Sequence, residues 1–327
     1  MAILVTGGAG YIGSHTVKYL KSLKKDVVVL DNLSKGHREA VLEVPLYVGD
    51  IQDAALIKRI CKEHDIAGAI HFAAYSLVGE SVKQPLKYYE NNVCGTMSLV
   101  KSLVKNEVFK IVFSSTAAVY GEPEKVPIIE TDKTVPTNPY GDSKLAIEKM
   151  LKWAYEAYGL RSASLRYFNA AGADPEGLIG EDHKPETHLI PLVLNVALKK
   201  RENITVFGDD YPTKDGTCIR DYIHVMDLAS AHFLALQKLE TSAGAFAYNL
   251  GNGEGFSVKE VIDVASEVTS LPIPMNIGQR RRGDPATLVA SQKKAEDELN
   301  WQRKYKSLEK IISDAWRWHK NHPSGFE

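Results

Sequence analysis

Cysteine, membrane-length apolar runs and surplus charge are what this sequence is short of, and each shortage removes a class of protein. The three cysteines, Cys61, Cys94 and Cys218, are odd in number and far apart, with no CxxC pair. That excludes a disulfide-stapled scaffold or zinc ribbon and fits a reducing, cytoplasmic setting. No stretch approaches the ~20 apolar residues of a membrane span. The opening MAILVTGGAG carries no basic leader or cleavage site, so neither a signal peptide nor a membrane partner is expected. Forty basic residues against 41 acidic ones leave a formal charge of -1. No global field then favours nucleic acid, and any anion must be gripped by a local pocket. We find no histidine pair at ligand spacing beside a carboxylate and expect no metal. His71 and His224 read as packing or hydrogen-bonding residues.

What is present is an α/β pattern. The 327 residues, 44% hydrophobic, are enough for one large core or two modest ones. Short apolar runs at Ala2 to Thr6, Val27 to Leu30, Ala69 to Phe72, Ile111 to Ser114 and Ser162 to Leu165 alternate with helical patterns, which predicts parallel strands joined by helices. Two helical stripes stand out: Tyr89, Val93, Met97, Val100 and Val104, and Ile147, Leu151, Ala154 and Tyr158. Spacings of three and four place both in the core. After about Gly172 the chain turns to Gly, Pro, Asp and charge, the start of a second, smaller α/β domain. We expect a Rossmann domain over residues 1–175, a doubly wound parallel sheet, onto which a helix at Asp227 to Leu239 and a strand at Ala245 to Leu250 pack back. Residues 176–327 form the second domain, and the tail after Trp318 is expected to fray.

The string TGGAGYIG, Thr6 to Gly13, follows the first strand and opens a helix, with glycines at 8, 10 and 13 in GxGxxG spacing and Gly7 in a second register. Glycines allow a tight turn and the close approach of a pyrophosphate to backbone amides at a helix N-terminus. A lone GxGxxG is weak, but Asp31 ends the next strand about 20 residues on, where a carboxylate accepts from a ribose 2′-hydroxyl and repels a 2′-phosphate. The cofactor implied is NAD rather than NADP.

Tyr140-Gly-Asp-Ser-Lys144 begins a helix after Pro139, and the four-residue spacing puts phenol and ammonium on one face. An ammonium at ~4 Å would lower the phenol towards neutrality. Upstream, Ile111 to Ser114 runs into Ser115 and Thr116, setting hydroxyls at the carboxyl end of a central strand. Taken alone, a Tyr and Lys four apart are commonplace on helix surfaces. Together, the glycine loop, FSSTAAVYG and YGDSK resemble the extended branch of the short-chain dehydrogenase/reductase superfamily. HFAAYSLVGESVKQPLKYYENNVCGT, LRYFNAAGA, FGDDYPTKDGTCIRDYIHVMDLA and RRRGDPA carry a resemblance to its UDP-galactose 4-epimerases almost from end to end.

The resemblance implies that Thr116 and Tyr140 hold the sugar 4-oxygen, that Tyr140 is the acid/base and that Lys144 holds the nicotinamide ribose. It implies an NAD site from Gly7, Gly10, Tyr11, Ile12, Gly13, Asp31, Asn32, Leu33, Ser34, Lys35, Gly36, Asp50, Ile51, Phe72, Ala73, Ala74, Asn92 and Phe168. It implies UDP-sugar contacts from Phe168, Asn169, His188, Leu189, Thr205, Phe207, Arg220, Arg281, Asp284 and Leu288. A net-neutral protein that holds a diphosphate needs local guanidinium groups, and Arg220 and Arg281 fit that need, whereas Arg280 and Arg282 read as solvated. Thr116 stands where serine is more usual, and His188 where asparagine is often found.

The implied reaction is reversible inversion at C4 of UDP-glucose and UDP-galactose through a transient 4-keto sugar and bound NADH, in a homodimer. Slower action on UDP-N-acetylhexosamines is expected from the intermediate size of Leu288. One rival is a nucleotide-sugar 4,6-dehydratase or decarboxylase. A dehydratase wants an acid two residues after the threonine, and Ala118 occupies that place. The other rival, a non-catalytic NAD-sensing regulator, has no need of the Tyr/Lys pair.

Overall fold

The computed structural model describes residues 1–281 and 284–327; Arg282 lies outside them. The strands in chain order are β1 (Ala2–Thr6), β2 (Val27–Asp31), β3 (Leu46–Val48), β4 (Ile66–His71), β5 (Lys110–Ser114), β6 (Arg161–Tyr167), β7 (Asn169–Ala171), β8 (Ile204–Phe207), β9 (Ile219–His224), β10 (Ala245–Leu250), β11 (Gly255–Ser257), β12 (Met275–Gly278) and β13 (Thr287–Leu288). Seven of them form one sheet in the order β10-β6-β5-β4-β1-β2-β3, every pairing parallel. β1 and β2 are apolar along almost their whole length because both faces of a parallel sheet are covered, and every residue of the two is buried.

One face packs Val5, Val29, Ile70 and Val112 against Val17 and Leu20 of the Tyr11–Ser22 helix and Leu228 and Leu236 of the Val225–Thr241 helix. The other packs Leu4, Leu30, Ile111 and Phe113 against Leu99 and Leu103 of the Gly95–Lys105 helix and Ile147 and Leu151 of the Pro139–Tyr158 helix. Each such side chain contributes roughly 1.5–3 kcal/mol relative to exposure. The strand at Ala245–Leu250 joins this sheet beside β6, in register from Ala245 opposite Ser162. A separate core, with Ile190, Val193, Val206, Val261, Ile311 and Ile312 at its centre, lies among β8 and the helices Leu189–Ala197, Val258–Thr269 and Leu308–Asn321. Asp221 of β9 knots the layers together, its carboxylate accepting from the amides of Asn252 at 2.5 Å and Ala290 at 3.1 Å.

Three expectations need correction. Of the stripe through Tyr89, Val93, Met97, Val100 and Val104, Val100 is buried and Val93 and Val104 pack half-buried on the core, but Met97 is 39% exposed. Residues Tyr89–Cys94 form a π-helical turn. The added residue rotates the remainder of the helix by about 100°, so Thr96, Leu99 and Leu103 face the sheet instead. Tyr158, placed in the second stripe, is 62% exposed. It stands in the last helical turn, before Gly159 ends the helix in the left-handed conformation at φ 72°. The tail does not fray: Trp318 is buried against His322 and Phe326, and the Phe326 amide donates to Asp182 at 3.1 Å.

Candidate active site

β1 ends at Thr6 and the chain turns at Gly7, whose φ of 72° would strain any other residue. A Cβ at Gly13 would overlap the Gly7 carbonyl oxygen, so the helix can start this close to the turn only with glycine there. Its first amides then point into the space above the sheet. At the end of β2, Asp31 accepts from the amides of Ala9 at 2.9 Å and Leu33 at 2.8 Å. Burial pushes its carboxyl up from the ordinary value, and those two bonds oppose the shift.

Between the glycine turn and Asp31 runs an open groove. It is lined by the expected Gly7, Gly10, Asp31, Asn32, Ser34, Lys35, Gly36, Asp50, Ile51, Phe72, Ala73 and Ala74. Gly49, Tyr75 and Asn91 line it too, unforeseen from the sequence. A carboxylate at one end and a glycine turn with free helix amides at the other fit the ribose and pyrophosphate of a dinucleotide.

Four expected residues form the frame rather than the lining. The Tyr11 hydroxyl donates to the Gly172 carbonyl at 2.6 Å, Ile12 and Leu33 pack on the core, and Gly13 closes the turn. Asn92 is fully buried, its amide accepting from Tyr75 N at 2.9 Å and donating to Tyr75 O at 3.1 Å and to Ser143 Oγ at 3.2 Å, so it braces Tyr75 in the lining while its neighbour Asn91 faces the groove.

The second cluster stands where β5 ends. Asn138 caps the Pro139–Tyr158 helix, accepting from the Gly141 amide at 2.9 Å, with Pro139 in the first turn. That start fixes Tyr140 and Lys144 opposite Thr116, whose Oγ1 accepts from the Ala118 amide at 3.2 Å. Burial pushes the Tyr140 phenol above its ordinary value, and the neighbouring Thr116 hydroxyl pulls the other way. Lys144 lies on the same helix face as Tyr140. Its Nζ donates to the Ser114 carbonyl at 2.8 Å and sits 5.9 Å from the Tyr140 ring centre. A buried ammonium takes the nearest carbonyl dipole, which helical spacing cannot anticipate.

Below this cluster, unforeseen from the sequence, Glu148 pairs with Arg166 at 2.6 Å and accepts from Ser115 Oγ at 2.5 Å. The pair ties the helix to β5 and β6. His71 bonds Thr6 and Thr96. His224 accepts from the Met226 amide through Nδ1 and meets Asp314 through Nε2. Both are hydrogen-bonding core residues, as expected.

Burial lowers the Lys144 ammonium to about 7, opposed by Glu148. Between about pH 7 and pH 10 the unfolded chain keeps a proton that the folded chain has released, so wild-type stability should rise relative to Lys144→Met across that window. Below it the difference should be flat. Urea unfolding of nucleotide-free protein at several pH values measures the gap, and a gap independent of pH above 7 would exclude a depressed Lys144.

On the far side, Phe168 and Leu288 pack on Val119, Tyr120, Ile128 and Leu145. Leu288 lies in register with Arg220, and Arg220 pairs with Asp284. Asn169 turns its amide to the Asp221 carbonyl at 3.0 Å. Thr205 and Phe207 sit on β8, and the Arg281 guanidinium stacks 4.0 Å over the Phe207 ring. Arg280 is exposed, as expected, and at the surface it pairs with Asp210 at 2.5 Å and stacks on Tyr211.

His188 caps the helix that begins at Leu189, and its Nδ1 lies 2.6 Å from Glu181 and 3.3 Å from Glu186. Burial alone would lower His188, yet Glu181 and Glu186 raise it well above the usual histidine range. Burial alone would raise Glu181, yet His188 and His183 hold it well below the usual carboxylate range. This grouping corrects the sequence reading of the histidines: EDHKPETH does place two histidines five apart with carboxylates between and beside them.

Set against known proteins, residues 3–251 match the model of the NAD dependent epimerase/dehydratase family. A UDP-glucose 4-epimerase of Halalkalibacterium halodurans is 62% identical, over 100% of this chain and 98% of its own. The chain belongs to the UDP-glucose 4-epimerases of the NAD dependent epimerase/dehydratase family. Among solved structures, a UDP-glucose 4-epimerase at 54% identity superposes with a TM-score of 0.98, with 100% of both chains covered. The Bifidobacterium longum UDP-glucose 4-epimerase in complex with NAD+ and UDP does so at 0.94, with 41% identity and again 100% of both chains. Among the described residues, no helix is long and apolar enough to cross a membrane.

Proposed function

We propose that this chain interconverts UDP-glucose and UDP-galactose by inversion at C4, with residues 1–175 and the 226–250 return holding NAD and residues 176–327 holding the UDP-sugar. The observation that carries this is the set of Thr116, Tyr140 and Lys144 at the carboxyl end of β5, beside a groove that ends in Asp31. NAD, when bound, supplies a reversible hydride acceptor at the sugar C4. Tyr140 takes the proton of the 4-hydroxyl and returns it, Thr116 holds the 4-oxygen, and Lys144 orients the cofactor ribose.

Arg220, Arg281 and Asp284, with Thr205, Phe207, Leu189 and Asn169, hold uridine and diphosphate, while the His188 side chain is engaged by Glu181 and Glu186. Firm holding of the nucleotide leaves the sugar free to turn its other face between the apolar Phe168 and Leu288. Ala118 leaves a dehydratase without its acid. The working unit is a cytoplasmic homodimer, joined through the exposed Met97 and Trp153 of the two long helices, the latter 72% exposed.

Leu288 should grade the substrate range, because one apolar contact is worth ~1–3 kcal/mol. Product analysis by NMR without added NAD, with specificity constants for the hexose and N-acetylhexosamine pairs, tests both points. Leu288→Ala should move the ratio towards N-acetyl sugars and Leu288→Tyr away from them. Absence of epimerised product would refute the function, and unchanged ratios would remove Leu288 from the pocket.

A further inference from the structure

We propose that Glu181, His183, Glu186 and His188 form a structural site for a divalent transition metal, zinc by preference. Their four donor atoms, one from each residue, lie within 4.8 Å of one another. The carboxylate-to-imidazole distances are 2.6, 3.1, 3.3 and 3.9 Å. A tetrahedral ion with bonds of ~2.0–2.1 Å needs donors ~3.3 Å apart, so a pair at the 4.8 Å limit would close by about 1.5 Å, within reach of side-chain rotation. Two imidazoles and two carboxylates are a donor set for zinc, cobalt or nickel rather than for magnesium or calcium, which take oxygen.

In the free protein the two carboxylates favour protonation of both imidazoles, so the cluster is balanced in charge, and a dication would enter by displacing those two protons, with Glu181 only 4% exposed. The ligands are also held from outside. Glu186 accepts from the amides of Thr187 and His188, and the Glu181 carbonyl accepts from Trp318 Nε1 at 3.2 Å. Protein supplies all four positions, which marks a closed structural site. The His183 ring meets the Tyr11 ring edge-on at 6.2 Å, so the ion would pin the segment leading into the Leu189–Ala197 helix against the start of the Tyr11–Ser22 helix.

The test uses the tag-free full chain, stripped with chelator and then dialysed against zinc, with metal counted by elemental analysis. One zinc per chain is expected, with a rise of several degrees in the unfolding midpoint at saturation. Cobalt in its place should give the intense visible absorption of a tetrahedral site. His183→Gln and Glu186→Gln should each lower zinc affinity at least ~10-fold and lose the thermal shift. Either variant suffices, provided its unfolding midpoint without metal matches that of wild type. No bound zinc at micromolar free metal would overturn the proposal. So would zinc retained undiminished in both variants, which would place it at other ligands.

Discussion

Tyr140→Phe should lower turnover at least ~100-fold and leave UDP-sugar binding and folding nearly unchanged. A factor of ~100 corresponds to about 2.7 kcal/mol of transition-state stabilisation, the usual scale of a positioned acid/base. The phenol is the titratable group paired with Thr116 at the end of β5, and no carboxylate stands at Ala118 to replace it. Removing one oxygen creates no cavity, because the ring keeps its edge-on contact with Tyr88 at 6.5 Å. Burial holds the phenol above its ordinary value, so its proton is firmly held until a cation is brought close. Turnover at saturating UDP-galactose, with UDP binding measured in parallel, separates chemistry from binding. Turnover within a few-fold of wild type would dismiss Tyr140 as the acid/base, and a 4-keto-6-deoxy product would favour the dehydratase.

The second large effect concerns Asp31. Nucleotide released from denatured wild-type protein should be NAD, and Asp31→Asn should weaken NAD by ~10- to 150-fold, the equivalent of ~1.5–3 kcal/mol for a hydrogen bond to a charged acceptor. The same change should narrow the preference over NADP, because the charge that repels a 2′-phosphate is gone. Asparagine is chosen over alanine because the carboxylate also holds Ala9 and Leu33, and losing both bonds would unsettle the turn itself. Binding of NAD and NADP to nucleotide-free protein measures the ratio. NADP in the wild type, or an unaltered ratio in the variant, would overturn the ribose assignment.

The sequence by itself determined the Rossmann layer and the chemistry it carries. The runs at Ala2–Thr6 and Ala245–Leu250 end where the strands end, because strands covered on both faces must be apolar throughout and stop where glycine or charge begins. The glycine turn, Asp31 and the YGDSK helix were legible for a related reason: each depends on residues close in the chain. β3 escaped because it is a three-residue edge strand with no buried position.

Tertiary structure alone decided the rest. A single π-helical turn moved the core stripe off Met97, and no period of three or four reveals it. The direction of the Lys144 ammonium depended on a carbonyl 30 residues away, at Ser114. The Glu148–Arg166 pair and the bond from the Phe326 amide to Asp182 join segments that only the tertiary fold brings together. The grouping of Glu181, His183, Glu186 and His188 was latent in EDHKPETH, but spacing in a loop without period does not set direction. The side chains converge because Trp318, from a helix more than a hundred residues later, holds the Glu181 backbone in place.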